Sequence, residues 1–182
     1  MALKIESGKF KNNTIEAVGD HRTRYTPATL RRALMSIFDF SGANFLEFFA
    51  GSGMLSFEAL SNGAKSSTMV DISSKAVSSI LKNAESLGVI NSIKVIKSDF
   101  RKSISKLSAK QFDYIFADPP FNNQYVQEFL KFIDSNVSLI RSGGYIIIEK
   151  HKNEKSDYIP KNLIREEVRE YGDIEILIFF KP

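Results

Sequence analysis

Four residues in the second half of the chain, Asp118-Pro119-Pro120-Phe121, have types and an order that could do chemistry. An ionised Asp offers acceptor oxygens and no donor. The two prolines fix φ and carry no N–H, so the backbone bends stiffly and holds the Pro119 carbonyl near the carboxylate. Two fixed acceptors side by side match an exocyclic NH2, which presents two donors. Phe121 supplies a flat face on which any nucleobase stacks. The amine of a base is a weak nucleophile because its lone pair is delocalised into the ring. Acceptors on both hydrogens draw the nitrogen toward a pyramidal shape and release that pair, which is catalysis by positioning and electrostatics. For these four residues alone, a Pro-Pro loop whose Asp caps the next helix is the plain alternative.

The bend must be carried by a strand. Phe112 to Ala117 is a short run of apolar, β-branched and aromatic residues without helical spacing, as in a buried parallel strand. In an open α/β sheet, ligands sit at the carboxyl ends of such strands. Upstream, Asn44 to Phe49 reads as the first sheet strand, Ala50-Gly51-Ser52-Gly53 as a turn, and Met54 to Asn62 as a helix with Leu55, Ala59 and Leu60 inward, closed by Gly63. Ser67 to Asp71 reads as the second strand. A helix capped by Ser73 or Ser74 follows through Leu87, and Ile93 to Ile96 is the third strand, with Asp99 just past it. After the bend come a helix from Gln124 to Ile140, the punctuation Gly143-Gly144, a strand from Tyr145 to Glu149 and a polar loop. A hairpin of Val168 to Tyr171 and Ile174 to Phe180 ends the chain. Before the sheet, residues 2–18 suggest one or two short strands and 19–24 a basic loop. Thr26 is expected as helix cap and Pro27 as first helical residue. Leu30, Ala33, Leu34, Ile37 and Phe38 then fall on one face, with Arg31 and Arg32 on others. The pattern predicts an α/β fold: a Rossmann-like, doubly wound, seven-stranded, mostly parallel sheet with a C-terminal antiparallel hairpin. Residues 1–40 form a strand-and-helix extension and 41–182 the sheet domain.

A glycine turn after the first strand lets backbone approach a ligand closely. Asp71, twenty residues after Gly51 at the next strand end, suits ribose hydroxyls. The dinucleotide fingerprint needs a third glycine, and that position is Ser56. The phosphate loop's lysine is missing as well. Glu47, just before the turn, would repel a pyrophosphate but suits a ligand with a cationic amino-acid end, such as S-adenosylmethionine. Asp99 could accept from its adenine amine. Taken singly, Asp71 and Asp99 could equally be helix caps and Glu47 a partner for a lysine.

Length and composition bound the rest. With 182 residues, 43% apolar and 25% charged, the chain supports one domain with a sizeable core. It has no apolar run approaching the roughly 20 residues of a membrane span, and Met1 to Glu6 shows no secretory apolar stretch. Zero cysteines exclude disulfides and thiolate sites, and two histidines make a metal centre unexpected. A cytoplasmic location is expected. Net charge is +4, and residues 1–38 alone carry seven cations against three anions. A basic N-terminal segment on a balanced domain suits a polyanionic partner, although a solvated face would look the same.

Together, Leu46 to Gly53, Glu58 to Ala64, Val70-Asp71 and Asp118 to Phe121 resemble the RsmD-like RNA methyltransferases, and Gly8-Lys9-Phe10 and Arg24 to Leu34 are similar to the family's opening signature. Tyr25, Arg32 and Glu47 stand where that family usually has Pro, Glu and Asp. The resemblance implies methylation by S-adenosylmethionine of the N2 amine of a guanine in small-subunit (16S) ribosomal RNA, free or in an assembling subunit. It implies that Glu47, Gly51, Gly53, Asp71 and Asp99 line the cofactor, with their neighbours Phe49, Ala50, Ser52, Ile72 and Phe100. Asp118, Pro119, Pro120 and Phe121 would hold an unstacked guanine. Lys9, Lys11, Arg22, Arg24, Thr26, Arg31 and Arg32 would hold RNA. A monomer without metal or membrane is expected. Adenine N6, a protein glutamine amide, and a non-catalytic RNA-binding assembly protein stay open as alternatives.

Overall fold

The computed structural model describes residues 2–18, 25–107, 111–121 and 124–182; the basic loop with Arg22 and Arg24 lies outside them. In chain order the elements are β1 (Ala2–Lys4), β2 (Thr14–Glu16), α1 (Ala28–Ile37), β3 (Asn44–Phe48), α2 (Met54–Ser61), β4 (Ser66–Asp71), α3 (Ser74–Ser86), β5 (Ile93–Lys97), α4 (Ile104–Leu107), β6 (Phe112–Ala117), α5 (Tyr125–Ser135), β7 (Ile140–His151), β8 (Ile164–Tyr171) and β9 (Ile174–Phe180). Seven strands form one sheet in the order β5-β4-β3-β6-β7-β9-β8, while β1 and β2 pair separately. Strands β3 to β7 pair in parallel and β9 runs antiparallel to both its neighbours. The chain winds outward from β3 to β5, then returns to the other side of β3 with β6. The switch in direction therefore falls between β3 and β6, where ligands bind in open α/β sheets.

Alternation along the central strands sends side chains to both faces. Leu46, Phe48, Val70, Ile115 and Ile148 pack under Val126, Phe129, Leu130 and Ile133 of α5. On the other face Phe45, Phe116, Ile147, Ile176 and Ile178 meet Leu30 and Leu34 of α1 and Leu55 and Ala59 of α2. Leu3, Ile5 and Ile15 of the N-terminal strands join Met54, Phe57 and Leu60 of α2. Helix α2 is consequently buried on every side, not only on the expected inner face.

Three boundaries differ from the pattern in sequence. Pro27 keeps an extended ψ of 146° and itself occupies the cap position of α1, so the helix starts at Ala28 and the Thr26 side chain caps nothing. Helix α5 ends at Ser135 rather than near Ile140; Asn136 leaves helical geometry, and a single 3-10 turn leads into β7. Strand β7 begins at Ile140 and contains Gly143-Gly144. A Cβ on Gly144 would sit 2.7 Å from Ile140 and 2.8 Å from the Asp113 carbonyl, and the β6–β7 register slips between Phe112 and Tyr114. That irregularity, rather than a loop, is what the glycine serves. Among the described residues, no helix is long and apolar enough to cross a membrane and no acidic or histidine cluster could hold a metal ion.

Candidate active site

Three neighbouring strands stop at one level. Phe48 of β3 pairs with Val70 of β4 and with Ala117 of β6, so Phe49, Asp71 and Asp118 are each the next residue along one edge. The stiff bend after β6 and the glycine turn after β3 share the wall of one cleft of about 350 Å³. Its lining comprises Glu47, Phe49 to Ser52, Asp71 to Ser73 and Asp118 to Phe121, with Val18, Tyr25 and Thr26 closing it from the N-terminal side. A smaller recess of about 110 Å³, lined by Asp99, Phe100, Arg101 and Tyr125, shares Phe49, Asp71, Ile72 and Pro120 with it.

Backbone conformation sets the shape of the turn. Gly51 has φ +54° and donates its N–H to Asp71 at 2.8 Å, while the Ser73 N–H donates to the other Asp71 oxygen at 2.8 Å. Gly53, at φ +78°, lies so near Met69 that a Cβ would be 2.8 Å from its sulfur. Phe49 is left-handed without being glycine, at φ +58°. Such a conformation costs about 1–3 kcal/mol and persists only where packing enforces it. Here the ring is held by Phe100 at 5.2 Å and Phe129 at 6.1 Å.

Electrostatics select the ligand. Glu47 is buried against α2 and accepts from the Ser56 N–H at 3.0 Å and from the Ser56 hydroxyl, to which Ser67 donates at 2.7 Å. Burial nevertheless pushes its carboxyl up to about 7, against the pull of the Ser56 hydrogen bonds. Burial also raises Asp71. Among the described residues, the larger cleft is lined by three carboxyl groups and no Lys or Arg. A phosphate would be repelled, whereas a cation would repair the desolvation of Glu47 and Asp71. In the recess, Arg101 pairs with Asp99 at 3.2 Å and lies over the rings of Phe100 and Tyr125, giving a polar edge beside aromatic faces.

At the bend, Pro119 is buried, while Asp118 and Phe121 are half-buried. The Phe121 ring meets the imidazole of His151, at the end of β7, edge-on at 5.7 Å.

Not all of the expected residues gather here. Those proposed for the cofactor do, Asp99 and Phe100 in the recess and Glu47, Phe49 to Ser52, Asp71 and Ile72 in the cleft; Gly53 supports the turn from behind. Thr26 lines the cleft, although its side chain is buried. Arg31 is a correction: it is 4% exposed and satisfied inside the protein, so it has no surface to offer a phosphate. Its N–H groups donate to the carbonyls of Thr26 and Lys4 at 2.8 and 2.9 Å and pair with Glu58 at 3.3 Å. Arg32 is exposed but paired with Glu6 at 2.8 Å. Lys9 and Lys11 sit on a turn docked to Ser61, at the far end of α2, about 12 Å of helix from the glycine turn. Sequence reasoning missed Tyr25, Arg101 and Tyr125; only their nearness to Thr26, Asp99 and the Asp118–Phe121 bend could have signalled them.

A parallel sheet with one reversed strand, and a carboxylate-lined cleft at its switch point, define a Rossmann-like methyltransferase. The chain belongs to the family described as Conserved hypothetical protein 95, which matches residues 3–180 and comprises the RsmD-like methyltransferases. It is 30% identical over 162 residues to Ribosomal RNA small subunit methyltransferase D of Buchnera aphidicola from Acyrthosiphon pisum, covering 88% of this chain and 83% of that one. It is 27% identical over 229 residues to Uncharacterized methylase RP545 of Rickettsia prowazekii, covering 97% and 96%. The solved structure of a hypothetical protein from Thermus thermophilus, TTHA0928, has the same fold, with a TM-score of 0.82 at 22% identity over 99% of each chain.

Proposed function

We propose that the protein transfers the methyl group of S-adenosylmethionine to the exocyclic N2 of a guanine in small-subunit (16S) ribosomal RNA. The observation that carries this reading is the meeting of the Asp118–Phe121 bend with a cleft suited to a cation and hostile to phosphate. The name of the Buchnera relative supports the RNA.

The residues fit the donor. Glu47 and Asp71 suit its ammonium and ribose, and the recess of Asp99, Phe100 and Tyr125 suits adenine. When bound, S-adenosylmethionine supplies an electrophilic methyl on a sulfonium. The protein's part is positional. Asp118 and the Pro119 carbonyl accept from the two amine hydrogens and keep the nitrogen lone pair available. Phe121 stacks on the base, which must leave any helix to enter. A methylated amine is cationic and acidic, so its proton departs without a strong base from the protein.

The test is mass mapping of ribosomal RNA from cells lacking the protein, with reconstitution by the purified enzyme and labelled S-adenosylmethionine. One N2-methylguanine should vanish and return. An unchanged methylation map, or label appearing only on adenine N6 or on protein, overturns the reading.

A further inference from the structure

Given an RNA substrate, Lys9, Lys11, Arg31 and Arg32 of the N-terminal sequence are poorly placed to hold its backbone. Arg31 is buried, Arg32 is held by Glu6, whose side chain is only 17% exposed, and Lys9 and Lys11 lie at the far end of α2. We propose that the turn closing β7, His151 to Lys155, is the wall against which the RNA strand flanking the target guanine lies. Lys152 and Lys155 meet its phosphates and His151 positions the Phe121 ring.

Register places the turn. Ala117 of β6 pairs with Ile148 of β7, so Asp118 is level with Glu149. His151 then stands two residues, about 7 Å, beyond the floor of the base pocket. Its ring touches Phe121 there. The turn is hydrogen-bonded within itself and to the β8–β9 turn. The Glu154 N–H donates to the His151 carbonyl at 2.9 Å, the Asn153 N–H to His151 Nδ1 at 3.2 Å, and the Lys152 N–H to the Asp173 carbonyl at 2.9 Å. Beneath it, buried Lys150 is fixed by Glu175 at 2.6 Å and by the Glu154 carbonyl at 3.0 Å. That pair engages Glu175, while Lys152 and Lys155 stay on the surface.

Lys152, Asn153 and Lys155 are exposed on this fixed backbone. Lys152 pairs with Asp173, but both side chains are about half exposed or more, at 48% and 69%. An ion pair so open to water is weak and is readily exchanged for a phosphate. Lys155 makes no ion pair among the described residues. Exposed donors one and four residues past the His151–Phe121 contact can make positioning contacts to a nucleic-acid backbone.

The experiment compares wild type with the double variant Lys152→Ala/Lys155→Ala as full-length chains. Naked small-subunit RNA is the probe, bound across a salt series. Thermal midpoint and S-adenosylmethionine affinity serve as controls and should not move. Affinity should fall about tenfold at low salt, and the slope of log affinity against log salt should flatten by about 1.4–1.8, some 0.7–0.9 per phosphate. Lys9→Ala/Lys11→Ala should keep both values. His151→Ala should lower kcat at unchanged RNA affinity, and His151→Phe should restore it. Unchanged affinity and slope in the lysine variant overturn this surface while methyl transfer to RNA stands. A defect seen only with assembled subunits overturns it in favour of a protein contact. A wild type that binds S-adenosylmethionine but never small-subunit RNA removes the substrate reading and this surface together.

Discussion

Replacing Arg31 by alanine separates a structural cation from an RNA-binding one. Its guanidinium links the carbonyls of Thr26 and Lys4, the Glu6 carboxylate at 3.4 Å and the Glu58 carboxylate at 3.3 Å, so one side chain joins α1, the N-terminal strand and α2. Glu58 is 0% exposed. Burial raises its pKa, and the Glu6 N–H and the Arg31 charge pull it back. Without Arg31, Glu58 keeps the Glu6 N–H at 2.9 Å and a long contact from the Ser7 hydroxyl at 3.5 Å. Breaking one partner out of a buried pair costs about 3–5 kcal/mol, a large share of the roughly 5–15 kcal/mol that holds a domain together. Urea unfolding above neutral pH should show that loss as a lower midpoint at unchanged slope. In the variant, Glu58 titrates even further above its unfolded value, so the folded chain binds a proton that the unfolded chain releases. The deficit is therefore complete above the folded pKa and shrinks as pH falls toward the unfolded one. Adding Glu58→Gln should recover part of it. A loss below about 1 kcal/mol, or lost RNA binding with stability intact, would falsify the burial argument.

Other perturbations probe the cleft and its supports. Asp118→Ala should keep S-adenosylmethionine affinity and lose most transfer, by about two orders of magnitude or more; near wild-type turnover on small subunits removes its role. Glu47, raised by burial to about 7 from 4.5, holds a proton in the folded chain that the unfolded chain has lost. Stability should thus fall as pH rises between those values, and Glu47→Gln should flatten that slope in denaturant midpoints, leaving the part due to Asp71 and Glu58. A cationic ligand should draw that proton off, so S-adenosylmethionine should bind more weakly below about pH 7, with proton release visible by calorimetry in buffers of different ionisation enthalpy. Gly8→Ala places a Cβ 2.1 Å from the Ser61 carbonyl at φ +74°, and should cost more than about 1 kcal/mol in the same urea assay.

The strands and the chemistry at their ends were legible because both are local. A run such as Phe112 to Ala117 ended by two prolines has few alternatives, and Asp71 twenty residues from Gly51 follows from one strand–helix–strand repeat. What stayed hidden is tertiary. Periodicity puts Arg31 beside Leu30 without saying that Glu58, twenty-seven residues on, waits for it. Helix α5 looked longer because Val137 to Ile140 continue an apolar pattern that a 3-10 turn and β7 also satisfy. The bend and the glycine turn were found separately; only the shared register of β3, β4 and β6 shows them at one edge. Charge counted along the chain pointed to the first 38 residues, yet burial removes Arg31 from the cleft, pairing occupies Arg32, and Lys9 and Lys11 lie at the far end of α2.

Helix α2 carries the glycine turn at one end and is wrapped by the first two strands and α1. Each large side chain they cover is worth about 1.5–3 kcal/mol. A shortened chain starting at residue 41 would leave Met54, Phe57 and Leu60 wet. Such a fragment should clump in expression instead of surviving as a smaller enzyme with poorer grip. The opening residues are, in effect, the last wall of the house.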